Sequence, residues 1–429
     1  MEESRGGEYC GAEGAFRCKT ASFCHLKMYP TPPITIVTPE RARLMEEIAS
    51  IGAETYAVKM WERGVPLVLK LIKQPAYAAN IIKQEALASG IDAAVNRGAA
   101  NCSVKQGDIL VIGNVRGVKI LAGRLKKQGG VFVSIAEELE RVAGSVCLDP
   151  KPFVLRLRDR LQPLGGAVMG ILNVTPDSFS DGGSYDTSVK VSDRLKQIFD
   201  EGGIFADIGG VSTRPGYSPV TLEEEEKRVL PAVEAGVKIA SDYGAYISVD
   251  TTEPLIAEKA LRLGADMIND QHALNTPGMA EVCAEYKAAV VLMHNPKECA
   301  ESVPDDLPRA VAQIKDCLVN AAKKAVRAGI PKDSVVIDPG FGFGKSLKIQ
   351  YGILKYMFEF SGAAYPLLAG ISRKSMLGVS GRGVADRGYL TAAAETAAML
   401  GGAAILRSHN VAAALDVVNF ASALNGRGF

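Results

Sequence analysis

From about residue 155 onward the chain keeps a regular beat. Short β-branched apolar runs end in polar or glycine residues and give way to helical stretches. The runs are Ala167–Val174, Phe205–Ile208, Tyr246–Val249, Met267–Ile268, Val290–Met293, Val335–Ile337, Leu367–Ile371 and Ala404–Leu406. A helix candidate of roughly 10–20 residues follows each of them. The clearest has Leu222, Val229, Val233 and Val237 recurring near a period of about 3.6, with Glu223 to Glu226 biasing its first turn. Strands that alternate with helices imply parallel βαβ units. Eight such units in about 275 residues predict a closed (β/α)8 TIM barrel over 155–429. A doubly wound open sheet is the alternative, but it usually splits into smaller units.

Ahead of the barrel the pattern differs. Residues 1–33 are expected to form a disordered leader that ends in the Pro-rich Tyr29-Pro30-Thr31-Pro32-Pro33. Residues 34–150 mix helical and strand-like stretches and are read as a small α/β domain. Pro75 through Ser89 reads as a helix, with Pro75 at its start and Gly90 just past its end. Ile109–Val115 and Val131–Ile135 read as short strands around a helix Val118–Gln128. A boundary is expected near Asp149-Pro150-Lys151-Pro152.

Composition narrows the class. With 429 residues, 47% hydrophobic and 23% charged, the chain has the balance of a globular protein of two or three domains. Lys+Arg 49 against Asp+Glu 48 leaves +1, and no long basic run appears, so a nucleic-acid partner is not expected. No apolar stretch reaches the roughly 20 residues of a membrane span. Cys102, Cys147, Cys283, Cys299 and Cys317 are scattered singly and read as reduced, partly buried thiols. Cys10, Cys18, Cys24 and His25 offer four ligand types, but their gaps match no standard zinc clip. The leader carries four basic and four acidic residues before Met28 and no apolar core, unlike a secretory signal or transit peptide. The expected location is cytoplasmic.

In a (β/α)8 barrel the active site gathers at the C-terminal ends of the strands. There the sequence places Asn173, Thr175, Asp177, Ser178, Ser180 and Asp181; then Asp207, Ser212, Thr213 and Arg214; then Asp250 and Thr251; then Asn269 and Asp270. His294 and Asp338 follow, then Ser372, Arg373 and Lys374, and finally Arg407, Ser408 and His409. Asp250, Asn269 and Asp338 could face a flat heterocycle with a 2-amino-pyrimidinone edge. Arg214, Arg407, Lys374 and His409 could neutralise a phosphate or diphosphate. Asn173 offers Mg2+ a neutral oxygen. The opposing reading is that strand-end acids and cations simply pair across the barrel mouth. Asp338 to Ser346 ends like a phosphate-binding P-loop, yet Pro339 stands where its first Gly is required. Its glycines are instead expected to bring a loop close over a ligand, with Phe341 or Phe343 as a wall. His272 reads as a loop or core histidine, and His294 as a weaker site candidate than His409.

These strand ends carry a resemblance. Met169-Gly-Ile-Leu-Asn-Val-Thr-Pro-Asp-Ser-Phe-Ser-Asp-Gly-Gly183 resembles the first signature of dihydropteroate synthases, the pterin-binding enzymes of the folate pathway. Asp207-Ile-Gly-Gly-Val-Ser-Thr-Arg-Pro-Gly216 is similar to the second. Ser248 to Thr251, Ile268 to Asp270, Asp338 to Lys345, Ser372 to Ser375 and Arg407 to His409 follow in the family's order. The resemblance implies condensation of 6-hydroxymethyl-7,8-dihydropterin diphosphate with 4-aminobenzoate to 7,8-dihydropteroate and diphosphate. It implies that Asp250, Asn269, Asp338 and Lys374 hold the pterin while Arg407 lies against it. Asn173, Arg214, Arg407 and His409 would bind diphosphate and Mg2+, with Asn173 as the metal's ligand. Thr213, Pro215, Ser372 and Phe343 would border the aminobenzoate, and a loop carrying Phe179 and Asp181 would close over it. Asp338, Lys374, Arg407 and Asp181 are the implied catalytic residues, and a homodimer the implied assembly.

The chain departs from the family at three places. Gln350 stands where Asn is usual, Asn410 where Asp is usual, and Met293-His294-Asn295-Pro296 replaces a Met-His-Met-like stretch. Two alternatives are a pterin-dependent methyltransferase, which needs no diphosphate pocket, and a catalytically weak pterin-binding paralogue. Lys83 to Val95 resembles N-terminal regions of certain longer synthase-like proteins, from which no activity follows.

Overall fold

A computed structural model describes residues 40–147, 153–158, 160–174, 184–211, 220–298, 302–361, 363, 365–381, 383, 384 and 386–424. The expected leader and its Pro-rich end lie outside these residues, as does the segment 148–152. The chain divides into two compact units, Met1–Cys147 and Leu148–Phe429.

In the first unit, β1 (Pro66–Pro75), β2 (Asp92–Val95) and β3 (Gln106–Asn114) form an antiparallel sheet in the order β1-β3-β2. The helix Ala76–Ala88 starts right after Pro75, and Gly90 lies just beyond it at φ +74°. The helix Val115–Gln128 is capped by Asn114, whose side chain accepts from the Gly117 N–H. These helices bury Ile82, Val118, Leu121 and Leu125 together with Ile109 and Val111 of β3. Val131–Ile135 is not a strand; it opens the helix Val131–Cys147. Its β-branched residues favour a strand locally, but Phe132, Ala136, Leu139 and Ala143 recur at helical spacing and all enter the same core. Tertiary burial overrides local preference here. Of the thiols read as reduced and partly buried, Cys283 is free and buried, Cys102 is free but exposed, and Cys317 is disulfide-bonded.

The second unit opens with a hairpin, β4 (Phe153–Leu157) and β5 (Arg160–Leu164). Eight parallel strands follow: β6 (Ala167–Asn173), β7 (Phe205–Gly209), β8 (Tyr246–Asp250), β9 (Met267–Asp270), β10 (Ala289–Met293), β11 (Val335–Asp338), β12 (Leu368–Ala369) and β13 (Ile405–Ser408). They pair in the order β11-β10-β9-β8-β7-β6-β13-β12, and a parallel bridge from Ile337 to Leu367 joins the two ends. The barrel is closed, with helices between successive strands. Both faces of each strand are buried, which explains the unbroken apolar runs in the sequence. Outward residues such as Val168, Ile208, Ile247 and Ile337 pack under the helices. Inward residues Met169, Phe205, Tyr246, Met267, Val336 and Ile405 fill the barrel's lower half together with Leu155, Leu157 and Leu164 of the hairpin. The hairpin therefore plugs the end at which the strands begin. Among the described residues, no helix is long and apolar enough to cross a membrane.

This plug has a measurable weight. Leu157 is 1% exposed, and Leu157→Ala should cost the barrel about 2–5 kcal/mol. A lower urea midpoint for the barrel's unfolding transition checks it, and an unchanged midpoint would refute the plug.

Candidate active site

Strand alternation converts the apolar interior into a polar mouth. Side chains two residues apart share a face. Phe205 is followed inward by Asp207, Tyr246 by Ser248 and Asp250, Met267 by Asn269, Val336 by Asp338, and Ile405 by Arg407. Register then stacks them: Asp207 lies opposite Ser248 and Asp250 opposite Asn269. On β6 the same alternation puts Asn173 above Ala167, Met169 and Ile171.

At the centre of this layer Arg407 joins two carboxylates. Its Nε donates to Asp207 Oδ2 at 2.6 Å and its Nη2 to Asp250 Oδ2 at 2.8 Å. Asp207 is completely buried and also accepts from Ser248 Oγ at 2.6 Å and Asn269 Nδ2 at 3.0 Å. With its amino group committed to Asp207, Asn269 keeps Oδ1 as an acceptor for a ligand. Asp250 Oδ1 accepts from Gln271 Nε2 at 2.8 Å. Burial pushes the Asp250 carboxyl up to about 6; Arg407 works against that rise and Asp207 adds to it. Burial also opposes the charge on Arg407, but the Asp207 and Asp250 carboxylates outweigh it and hold the guanidinium charged.

Asp338 ends β11 and accepts from the Gly340 N–H at 2.7 Å. Burial raises its carboxyl above the usual range, against that N–H and the charges of Lys374, Lys345 and Arg407. The glycine loop after it is pinned from below. Buried Lys345 donates from Nζ to the carbonyls of Gly340 (2.7 Å), His294 (3.0 Å) and Phe343 (3.3 Å). Burial pulls this ammonium down to about 7, with Asp338 opposing the fall. Gly340, at φ +70°, is required here, because a Cβ would lie 2.2 Å from the His294 carbonyl oxygen. Phe341 is fully buried, whereas Phe343 is half-buried with Lys374 Nζ 4.2 Å from its ring centroid. Phe343, not Phe341, is the wall open to a ligand. On β13 and its partner loop, Ser372 Oγ accepts from the His409 N–H at 3.2 Å and lies 3.0 Å from His409 Nδ1.

The chain that carries this layout is similar to one family of known proteins. The model of the pterin binding enzymes matches residues 169–409, wholly within the barrel unit. The dihydropteroate synthase of Escherichia coli K12 is 39% identical over 260 residues, covering 60% of this chain and 90% of that protein. The Xanthomonas albilineans dihydropteroate synthase with 4-aminobenzoic acid superposes with a TM-score of 0.59 at 38% identity, over 65% of this chain and 100% of that one. The same enzyme with 7,8-dihydropteroate gives a TM-score of 0.57 at 37% identity, over 64% of this chain and 100% of that one. The chain belongs to the dihydropteroate synthase family of pterin-binding enzymes.

In this synthase Asp250, Asn269, Asp338 and Arg407 converge on one polar layer, with Lys374, Phe343, Ser372 and His409 on the loops above it and Asn173 on β6. Phe179, Asp181, Thr213, Arg214 and Pro215 lie outside the described residues, as do Thr175, Asp177, Ser178, Ser180 and Ser212. Asp270 turns the other way: its oxygens accept from the His272 and Leu274 N–H groups and brace a bend at φ +51° and +61°. His272 is a loop residue beside Thr276 Oγ1 (3.2 Å). His294 is buried, and burial together with Lys345 pulls it down to about 3, so it stays neutral. The strand-end position of Asp207 was visible in the sequence, but its role was not, because its three side-chain donors stand 41, 62 and 200 residues away. Two of the three departures also acquire local tasks. Gln350 accepts from the Gly342 N–H (3.0 Å) and donates to the Lys345 carbonyl (2.8 Å), clamping the glycine loop. Asn410 accepts from the Ala413 N–H (3.1 Å) ahead of the helix Val411–Leu424, as an Asp would.

Asp250 predicts a pH step. If Asp250 accepts pterin N–H groups, as the family resemblance implies, it does so as the carboxylate, and pterin affinity should rise with pH through about 6 and level off above it. The stability term has the opposite sign. A raised carboxyl stabilises the fold fully below its ordinary value of about 3.9, and that stabilisation is lost as the pH climbs through the raised value. Calorimetric titration between pH 5 and 8, set roughly around that value, should show the affinity step in the native enzyme and a flat profile in Asp250→Asn. A step that survives in the variant would remove Asp250 from the assignment.

Proposed function

We propose that the synthase condenses 6-hydroxymethyl-7,8-dihydropterin diphosphate with 4-aminobenzoate by loss of diphosphate followed by amine attack. The pterin lies on Asp250, Asn269, Asp338 and Lys374, with Arg407 against its ring. The single observation that carries this reading is the Arg407 guanidinium held between Asp207 and Asp250 beside Asn269. That arrangement presents the Asp250 carboxylate and the Asn269 amide oxygen to the N–H edge of a flat heterocycle and a cation to its face. Ser372 and Phe343 border the aminobenzoate. By the family resemblance Thr213, Pro215 and Phe179 stand with them, and Asp181 joins Asp338, Lys374 and Arg407 in the chemistry.

Bond breaking is favoured where charge develops. Arg407, His409 and, by resemblance, Arg214 stabilise the departing diphosphate. Asp338, by the same resemblance, stabilises the positive charge left on the pterin methylene. The aniline nitrogen is weakly basic and attacks without a strong general base, in keeping with a neutral His294 and with Lys345 committed to three carbonyls. Asn173 fits Mg2+: it presents one neutral oxygen on the interior face of β6. No described group of three His, Cys, Asp or Glu would hold a metal without the substrate. When bound, Mg2+ would add positive charge on the diphosphate oxygens. A homodimer is inferred from the resemblance, with exposed Tyr389, Leu400, Phe420 and Leu424 on the last two helices as its apolar surface. The inferred location is the cytoplasm.

The test is formation of 7,8-dihydropteroate by the purified chain with both substrates and Mg2+. Product that depends on 4-aminobenzoate is expected. Arg407→Ala should lower kcat/KM by about 100-fold or more, and Asp338→Asn should lower kcat by roughly 10–100-fold with a smaller change in KM. Near-native turnover in either variant would contradict the roles given to them.

A further inference from the structure

The turn that carries Ser372 and Lys374 is held from outside in a shape its own residues disfavour. The Lys374 N–H bonds back to the Ile371 carbonyl at 3.1 Å and closes a four-residue turn with Ser372 and Arg373 at its centre. Arg373 has φ +59°, in the left-handed region that glycine usually occupies at the third position of such a turn. For a residue with a Cβ that conformer is disfavoured about tenfold. It persists only where the surroundings hold it.

Two side chains at the start of the helix Gly388–Leu400 do so. Thr391 Oγ1 accepts from the Arg373 N–H at 3.4 Å. Arg387 Nη1 donates to the carbonyls of both Arg373 and Lys374, at 3.1 Å each. The Thr391 N–H bonds to the Arg387 carbonyl at 2.8 Å, so the two stand one helical turn apart and grip the Arg373 peptide groups from the same element. Arg387 Nη2 lies against Gly378, where an added Cβ would come within 3.2 Å of it. Arginine is ordinarily placed to meet a carboxylate or phosphate. Among the described residues Arg387 forms no ion pair, and its buried Nε has no acceptor. A buried donor left unsatisfied costs stability, so its retention beside a strained turn points to a task at that turn.

Ser372 and Lys374 flank the strained residue and face different partners. Ser372 Oγ accepts from the His409 N–H at 3.2 Å, and Lys374 Nζ stands 4.2 Å from the centroid of the Phe343 ring. Reversing the sign of φ at Arg373 swings one side chain relative to the other, so both contacts require the left-handed conformer. We propose that Arg387, aided by Thr391, is a positioning residue for the condensation: it holds Arg373 left-handed and so keeps Ser372 at the aminobenzoate and Lys374 at the pterin. This rests on the roles proposed above for Ser372 and Lys374. Without the clamp the turn relaxes to the conformers Arg373 prefers, and the assembled turn becomes the minor state. Substrate then selects that minor state, so apparent affinity falls by the lost fraction while saturated turnover is largely kept.

Steady-state assays of the full-length enzyme test this in the native protein, Arg387→Ala, Arg373→Gly and the double variant. Arg387→Ala should raise KM for 4-aminobenzoate about tenfold and leave kcat within about threefold. Glycine takes positive φ about as readily as negative, so the clamp has little left to hold in the Arg373→Gly background. There Arg387→Ala should raise KM by about threefold or less. Equal rises in the two backgrounds make Arg387 a packing residue only and overturn the inference, with the synthase reading intact. A native KM in Arg387→Ala overturns it as well. Should Arg387→Ala fail to fold, Thr391→Val carries the same comparison. A rise in KM of about threefold that Arg373→Gly abolishes supports the clamp, and a rise that persists, or none at all, overturns it. If the native chain forms no dihydropteroate, the synthase reading fails first and the inference falls with it.

Discussion

One guanidinium between two buried carboxylates is the constraint on which the site depends. Asp207 is completely inaccessible to solvent, and a carboxylate in that position persists only with its lone pairs occupied. Ser248, Asn269 and Arg407 occupy them, and they come from three different strands. The same bonds that satisfy Asp207 therefore fix the orientation of Asn269 and Arg407, two of the groups proposed to meet the pterin. The barrel supplies the rigidity. Its lower half is filled by apolar side chains and closed by the hairpin of Phe153–Leu157 and Arg160–Leu164, so the polar layer rests on a packed floor.

The electrostatic design spreads charge over more than one carrier. Asp250 and Asp338 are raised by burial, and Arg407, Lys374 and Lys345 temper the rise. Lys345 contributes charge without reaching a ligand, because its ammonium is tied to three carbonyls of the loop it supports. Gln350 closes that loop from the other side. Gln350 and Asn410, two of the departures from the family pattern, thus serve loop closure and helix capping. The methyltransferase reading is disfavoured because the similar proteins are dihydropteroate synthases.

Much of the barrel was legible in the sequence for a physical reason. Strands buried on both faces must be apolar throughout, so each of the eight stood out between helical stretches, and the residue types at their ends marked the mouth. Other elements were hidden because their determinants are distant. The hairpin's Arg156 finds its partner in Asp333, 177 residues away. Val131 to Ile135 looked like a strand until the spacing of Phe132, Ala136, Leu139 and Ala143 was set against the core they enter. Asp207 was equally opaque, since its donors lie on distant strands.

The most direct test of the account is a double-mutant cycle between Asp207→Asn and Arg407→Lys, read as pterin affinity by calorimetry. Because the two side chains share a buried 2.6 Å bond, the account predicts a coupling of about 1–3 kcal/mol, with the double variant far better than the sum of the single losses. Strict additivity, to within about 0.3 kcal/mol, would mean that Asp207 does not hold Arg407 for the ligand, and would contradict the account at its centre.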